Sequence, residues 1–302
     1  MRILLAVDGS VSSDRATQLV STLDLPPESI VRIVSVQEPF TDVLALTWPS
    51  SVVAGGTVAE TDRQIDTRHR HEAISRAELV VQREGLGVEG VLLRGRPANA
   101  IVDEARSFGA DLVVLGSRGH GVIQTMVLGS TASEVVDGAP CPVLVARSAS
   151  LGSIAFADDG SPSARTAETL LATWPLFARR HVDVLSVAET AIPVAVGFVS
   201  GLHEQVVGSY AQHVDEAVRE VAGVSSATAA RLRDAGVDAE GVALEGDPAG
   251  EIVRYAAERG TGTIVVGTRG HTGLSRLILG SVARNVLLHA PCSVLVARAT
   301  AH

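Results

Sequence analysis

Three glycines and a hydroxyl recur in fixed order at two places in the chain. Gly116-Ser117-Arg118-Gly119, nine further residues and Gly129-Ser130 are matched by Gly267-Thr268-Arg269-Gly270, nine residues and Gly280-Ser281. Glycine lets main-chain N–H groups come close to a partner and tolerates positive φ. A helix opening at Gly129-Ser130 would add free N–H groups and the positive end of its dipole. Converging donors without side-chain bulk suit a phosphate, and the Ser130 and Ser281 hydroxyls can donate to it or reach a metal ion bound to it. Arg118 and Arg269, inside the turns, either pair a phosphate or stay in solvent. The plainer reading is that the glycines only make turns and start helices. Their full spacing recurs where much of the surrounding sequence differs, which favours the phosphate. On that reading, bulky residues at Gly116 and Gly267 should abolish binding and leave each sheet core intact.

Each pair of matching glycines is 151 positions apart, half of the 302-residue chain. The same offset carries Asp8-Gly9-Ser10 onto Asp159-Gly160-Ser161, Gly95-Arg96-Pro97 onto Gly246-Asp247-Pro248, and Pro140-Cys141 onto Pro291-Cys292. So long a period signals two similar domains in tandem, expected at residues 1–148 and 152–302. Asp8 and Asp159 follow apolar runs. Such a residue often serves only a turn or a helix cap, but its carboxylate can also accept from both hydroxyls of a ribose. Their placement opposite the glycine motif favours the ligand role. His120 and His271 are ambiguous, with solvent the simpler fate, and neither neighbours an evident nucleophile. Phe40 and Trp48 either cover a base or pack under a long loop. The stretch Glu189–Gly201 is apolar and lacks tryptophan, so the lids of the two halves should differ.

The elements that must position these residues alternate between strand and helix. Ile3–Val7 is a continuous apolar run, as a strand buried on both faces requires. Asp8-Gly9-Ser10 then turns the chain, and Ser12 or Ser13 can cap a helix to about Leu23. Strands at Ile30–Val36, Val88–Leu93, Asp111–Leu115 and Pro142–Ala146 follow. Between them come helices over roughly Val58–Glu84, Pro97–Phe108 and Ser130–Asp137. The second half repeats the order, with strands near Ser153–Ala157, His181–Val187, Ala239–Leu244, Thr263–Val266 and Ser293–Ala297. Alternation of this kind predicts parallel pairing with right-handed crossovers, an α/β doubly wound fold. Ligands of such sheets bind beyond the carboxyl ends of the strands where strand order reverses. Both turn motifs lie at such ends.

Composition narrows the function classes. With 46% hydrophobic and 20% charged residues the chain is globular throughout. Net charge −9 disfavours general nucleic-acid binding, which needs a basic face. All 25 Lys+Arg residues are arginine, so neither a Walker-type lysine nor a lysine Schiff base can take part. No apolar run reaches the ~18 residues of a membrane span, and a strand pattern begins at Arg2, leaving no room for a signal peptide. A cytoplasmic location is expected. Cys141 and Cys292, each after a proline, read as small buried residues in a reducing compartment rather than a disulfide.

The pattern G-x2-G-x9-G-[S/T], between an apolar strand and a helix, with a final strand such as Cys141-Pro142-Val143-Leu144-Val145-Ala146, resembles the universal stress protein family. The likeness spans the whole chain as two tandem domains. It implies Rossmann-like domains, each a five-stranded parallel sheet of order 3-2-1-4-5 with helices on both faces, and it implies the ATP-binding subgroup. Carried over, Asp8 would hold ribose, Val36 would touch adenine through its backbone, and Gly116, Gly119, Gly129 and Ser130 would hold phosphates. The second set is Asp159, Val187, Gly267, Gly270, Gly280 and Ser281. Mg²⁺ would be held through the phosphates. The family also pairs domains through fifth strands, here Val143–Val145 and Val294–Val296, and exposed helices leave room for a homodimer. Two functions then compete: a nucleotide-dependent regulator with an unidentified protein partner, and an ATP hydrolase or phosphotransferase. Phosphoryl transfer needs an oriented nucleophile and positioned charge. No duplicated carboxylate is evidently placed for that, so slow hydrolysis fits and efficient turnover does not. A nucleotide-free scaffold is the third reading.

Overall fold

The computed structural model describes residues 1–38, 56–119, 128–190, 203–268 and 279–299, with the side chains of 56–63 and 203–211 outside the description. The chain divides into two compact units, principally Pro26–Ala149 with Met1–Thr22, and Ser150–Ala299. The first runs β1 (Arg2–Ala6), α1 (Val11–Ser21), β2 (Ile30–Gln37), α2 (Gly56–Val81), β3 (Gly87–Arg94), α3 (Pro97–Phe108), β4 (Leu112–Gly116), α4 (Ser130–Gly138) and β5 (Val143–Ala146). The second runs β6 (Ile154–Ala157), α5 (Pro162–Thr173), β7 (Val182–Ala188), α6 (His203–Asp234), β8 (Ala239–Glu245), α7 (Pro248–Arg259), β9 (Thr263–Gly267), α8 (Ser281–His289) and β10 (Ser293–Ala297). A 3-10 turn at Pro175–Phe177, which the sequence pattern does not announce, lies between α5 and β7 and stacks Trp174 on Phe177.

Each unit is the parallel, doubly wound fold that the alternation implies. Strand order is β3-β2-β1-β4-β5 in the first and β8-β7-β6-β9-β10 in the second. The central strands carry the core: Ile3, Leu4 and Leu5 of β1 and Val113 and Val114 of β4 are fully buried. This is why they read as unbroken apolar runs. β3 and β8, at the end of their strand orders, are only half buried and carry glutamates, the usual protection of an edge. β1 pairs with β2 on one side and β4 on the other, so strand order reverses beside β1. The crevice at the carboxyl ends of β1 and β4 is therefore where the fold itself leaves a binding site.

Local signals mostly match the outcome. Pro97 opens α3 and Gly109 ends it in the left-handed conformation, φ 63°. The cap of α1 differs from expectation. Ser10, extended at φ −75° and ψ 159°, accepts from the Ser13 amide, and Ser161 does the same for α5. Cys141 and Cys292 are buried thiols without a disulfide. Among the described residues, no helix is long and apolar enough to cross a membrane.

Candidate functional site

At the carboxyl ends of β1 and β4 the first unit encloses a cavity of about 290 Å³. Asp8 after β1, Val36 on β2, Gly116, Arg118 and Gly119 after β4, and Gly129 and Ser130 at the start of α4 all line it. The sheet makes one wall apolar. Val34 and Val36 face the cavity from alternate positions of β2, with Val7 and Leu115 beside them. Arg70 of α2, which pairs with Asp66 at 3.2 Å, is among the polar residues that line the cavity.

The glycine turn is held by α1. Ser12 Oγ accepts from the Arg118 amide at 3.2 Å, and Ser10 Oγ donates to the Arg118 carbonyl at 3.3 Å. The Gly129 amide donates to the Ser117 carbonyl at 2.9 Å. These bonds occupy part of the amide set that the motif suggested for an anion. What points at the cavity with no side-chain acceptor is the first turn of α4, because its N-cap is Gly129. Orphan N–H groups and the helix dipole make that end an anion site.

Positive φ is not what the motif glycines supply. Among the described residues the left-handed glycines in these turns are Gly9, φ 83°, and Gly160, φ 73°, next to the aspartates. Gly116, Gly119 and Gly129 are absent from that set, and Gly116 and Gly119 serve close approach instead. A Cβ at Gly119 would stand 2.8 Å from Asp8 Oδ2, so glycine there lets the turn close on the carboxylate.

Asp8 and Asp159 take the turn role that such residues often serve. Asp8 Oδ1 accepts from the Ser10 amide at 2.9 Å and Asp159 Oδ1 from the Ser161 amide at 3.0 Å, fixing the turns. Both residues also line their cavities.

The second unit has a cavity of about 420 Å³ at the matching strand ends, lined by Asp159, Val187, Gly267, Gly280 and Ser281. Gly280 caps α8 without a side-chain acceptor, as Gly129 caps α4. Arg269 and Gly270 lie outside the described residues, as do Phe40, Trp48, His120 and His271. The charge differs between the cavities. The first is lined by Asp8 and Glu38 with Arg70 and Arg118; the second by Asp158, Asp159, Glu189 and Asp247, with no arginine among its described lining residues.

Asp158 is the residue that pattern reading missed, since the first half has Val7 at that position. It is 6% exposed and accepts from the Gly160 amide at 2.8 Å and Thr228 Oγ1 at 2.6 Å. Arg231 donates to Thr228 Oγ1 at 2.7 Å and forks onto Glu168 at 2.6 and 2.9 Å. The Glu168 hydrogen bond holds the Arg231 guanidinium above its ordinary pKa against the opposing pull of burial.

Comparison with known proteins agrees with this architecture. The model of the universal stress protein family matches residues 1–147 and again 151–298. A universal stress protein of Thermus aquaticus is 34% identical over 145 residues, 48% of this chain and 97% of that protein. One from Mycobacterium tuberculosis strain H37Rv is 28% identical over 310 residues, covering 98% of this chain and 96% of its own. The crystal structure of a universal stress protein from Archaeoglobus fulgidus shares the fold, with a TM-score of 0.64 at 16% identity over 98% of both chains. The chain belongs to the universal stress protein family, with one match in each half.

Proposed function

We propose that the chain binds ATP and acts in the cytoplasm as a nucleotide-dependent regulator read by a partner protein, with at most slow hydrolysis. The observation that carries this is the seven-residue convergence on the first unit's cavity. Its donor set fits the nucleotide piece by piece. The Val34–Val36 wall suits adenine, and Asp8 suits the ribose hydroxyls. Arg118, Arg70 and the uncapped start of α4 suit phosphates. Ser130 would reach Mg²⁺ through the phosphates. In the second unit, Asp159, Val187, Gly267, Gly280 and Ser281 offer the same plan in a more acidic setting.

Regulation is favoured over catalysis by what surrounds the anion end. The chain has no lysine, and the described carboxylates lining the first cavity are Asp8 and Glu38, the first already engaged by the Ser10 amide. Positioning and charge neutralisation carry phosphoryl transfer, and here neutralisation rests on two arginines. Calorimetric titration of the whole chain with ATP and Mg²⁺ tests the binding. Saturable heat is expected; none up to about 1 mM ATP, a binding energy of only ~4 kcal/mol, would overturn the proposal. Single-turnover hydrolysis slower than ~1 s⁻¹, below the ordinary enzyme range, is expected of a regulator.

A further inference from the structure

At the opposite end of the second unit's sheet, where β7 and β8 begin, metal-ligating side chains converge. His181, Asp183 and Glu240 each offer one ligand atom, and these atoms lie within 4.8 Å of one another. Asp183 and Glu240 are register partners on β7 and β8. Two carboxylates thus oppose each other across a strand pair, an arrangement that is unfavourable unless a cation joins them.

The first unit shows the same register with its cation in place. Arg32 and Glu89 are partners on β2 and β3, and Arg32 bridges Glu89 at 2.8 Å and Glu104 at 2.6 Å. At the repeat offset, Asp183 replaces Arg32 and Tyr255 replaces Glu104. Tyr255 hydrogen-bonds Asp183, and Arg259 lies over the Tyr255 ring at 5.5 Å, with no ion pair to either carboxylate among the described residues. Glu240 has no hydrogen-bond or ion-pair partner among the described residues.

His181 is oriented for a ligand. Its Nδ1 meets Asp238 Oδ2 at 2.8 Å, and its Nε2 meets Asp183 Oδ1 at 3.0 Å. A carboxylate fixing one ring nitrogen while the other faces ligand groups is how metal-binding imidazoles are held.

We propose that His181, Asp183 and Glu240 bind one first-row divalent cation, Zn²⁺ by preference, with Asp238 positioning the imidazole. One nitrogen and two carboxylate oxygens with a water in the fourth place suit zinc. Bonds of about 2.0–2.2 Å require the side chains to close by roughly an ångström, within reach of the exposed Glu240 and His181. The Nε2–Asp183 hydrogen bond gives way to metal bonds, its proton passing to solvent. The ion clips edge strand β8 to β7. It sits roughly 13 Å along β7 from Val187, counted from Asp183, so it is a separate site from the cavity.

Calorimetric titration of the chelator-treated full chain with Zn²⁺, without nucleotide, tests this, with Co²⁺ absorption as a second readout. We expect one equivalent of Zn²⁺ to be lost, or its binding weakened at least about tenfold, in both His181→Ala and Glu240→Gln. Asp238→Asn should weaken it by about tenfold. Asp183→Arg, which copies Arg32, should abolish binding while keeping the fold. Zinc binding that is unchanged in His181→Ala and Glu240→Gln, or absent in the parent up to about 1 mM, overturns the site.

Discussion

Gly116 and Ser12 meet backbone to backbone. A Cβ atom at 116 would stand 2.6 Å from the Ser12 carbonyl carbon and 2.7 Å from its carbonyl oxygen. Gly267 stands likewise to Ser163, whose carbonyl carbon would be 2.9 Å away. These glycines admit the first turns of α1 and α5 to the ends of β4 and β9. Bulk there therefore strikes the fold before it strikes any ligand, contrary to the expectation from the motif. Gly116→Val should lower stability by about 1–3 kcal/mol, the range for overpacking a rigid contact. Urea denaturation measures it, and a midpoint equal to the parent's would contradict the packing argument.

Gly129 is the position that separates binding from folding. An added Cβ would find its nearest neighbours at 3.5 Å, ordinary contact. Its φ of −66° and ψ of 149° suit any residue. Gly129→Asp gives α4 the side-chain cap it lacks, worth a few tenths of a kcal/mol. It also places a negative charge where an anion would sit. The unfolding midpoint should hold or rise while ATP affinity falls at least about tenfold, ~1.4 kcal/mol. Gly129→Ala, which adds no charge, should bind far better than the aspartate variant. Equal ATP affinity in parent and Gly129→Asp would remove α4 from the site.

How far these features could be read in the sequence depends on the range of the interactions that decide them. β1 and β4 declare themselves because burial on both faces forces unbroken apolar runs, and α3 because Pro97 and Gly109 punctuate it locally. The convergence of Asp8 with the glycine motif followed from topology alone. Arg70 could not be found, because which side of α2 faces the sheet is settled by packing against distant strands. Ser10, Ser12 and Ser13 are equally good caps by type. The choice falls to Ser10 while Ser12 is recruited by the Arg118 amide, 106 positions away. The glycines are limited for a related reason: sequence marks each one but not which strain it relieves, close approach at Gly116 or positive φ at Gly9.

The two cavities should differ in affinity. The first sets Arg70 and Arg118 against Asp8 and Glu38, whereas the second presents Asp158, Asp159, Glu189 and Asp247. Asp247, at the repeat position of Arg96, uses its carboxylate to cap α7 through the Gly250 amide at 2.7 Å. A polyphosphate approaching it meets a negative charge where the first unit has a positive one. Titration with Mg²⁺-ATP should resolve one tight equivalent per chain and a weaker second one. Arg70→Ala should weaken the tight site, and Asp247→Arg should strengthen the other. Two equal sites in the parent would refute the charge argument.

The buried carboxylate of Asp158 makes the last test, one of energetics within the second unit. Thr228 Oγ1 donates to it at 2.6 Å, and Arg231 backs the threonine. Removing the donor strands a polar group that is 6% exposed, at a cost of about 1–3 kcal/mol. Thr228→Val should therefore destabilise by that amount, seen as a lower urea midpoint with unchanged slope. The first unit solves the same position with Val7, 5% exposed, and has Ala77 at the repeat position of Thr228. Combining Asp158→Val with Thr228→Ala removes both the buried charge and its donor, so the pair should cost less than the sum of the single changes. A buried charge exchanged for a well-packed apolar group is often neutral, and contacting residues couple by ~0.5–3 kcal/mol in such cycles. Strict additivity would mean that the threonine does not sustain the carboxylate, and that the acidic wall of the second cavity is held by the Gly160 turn alone.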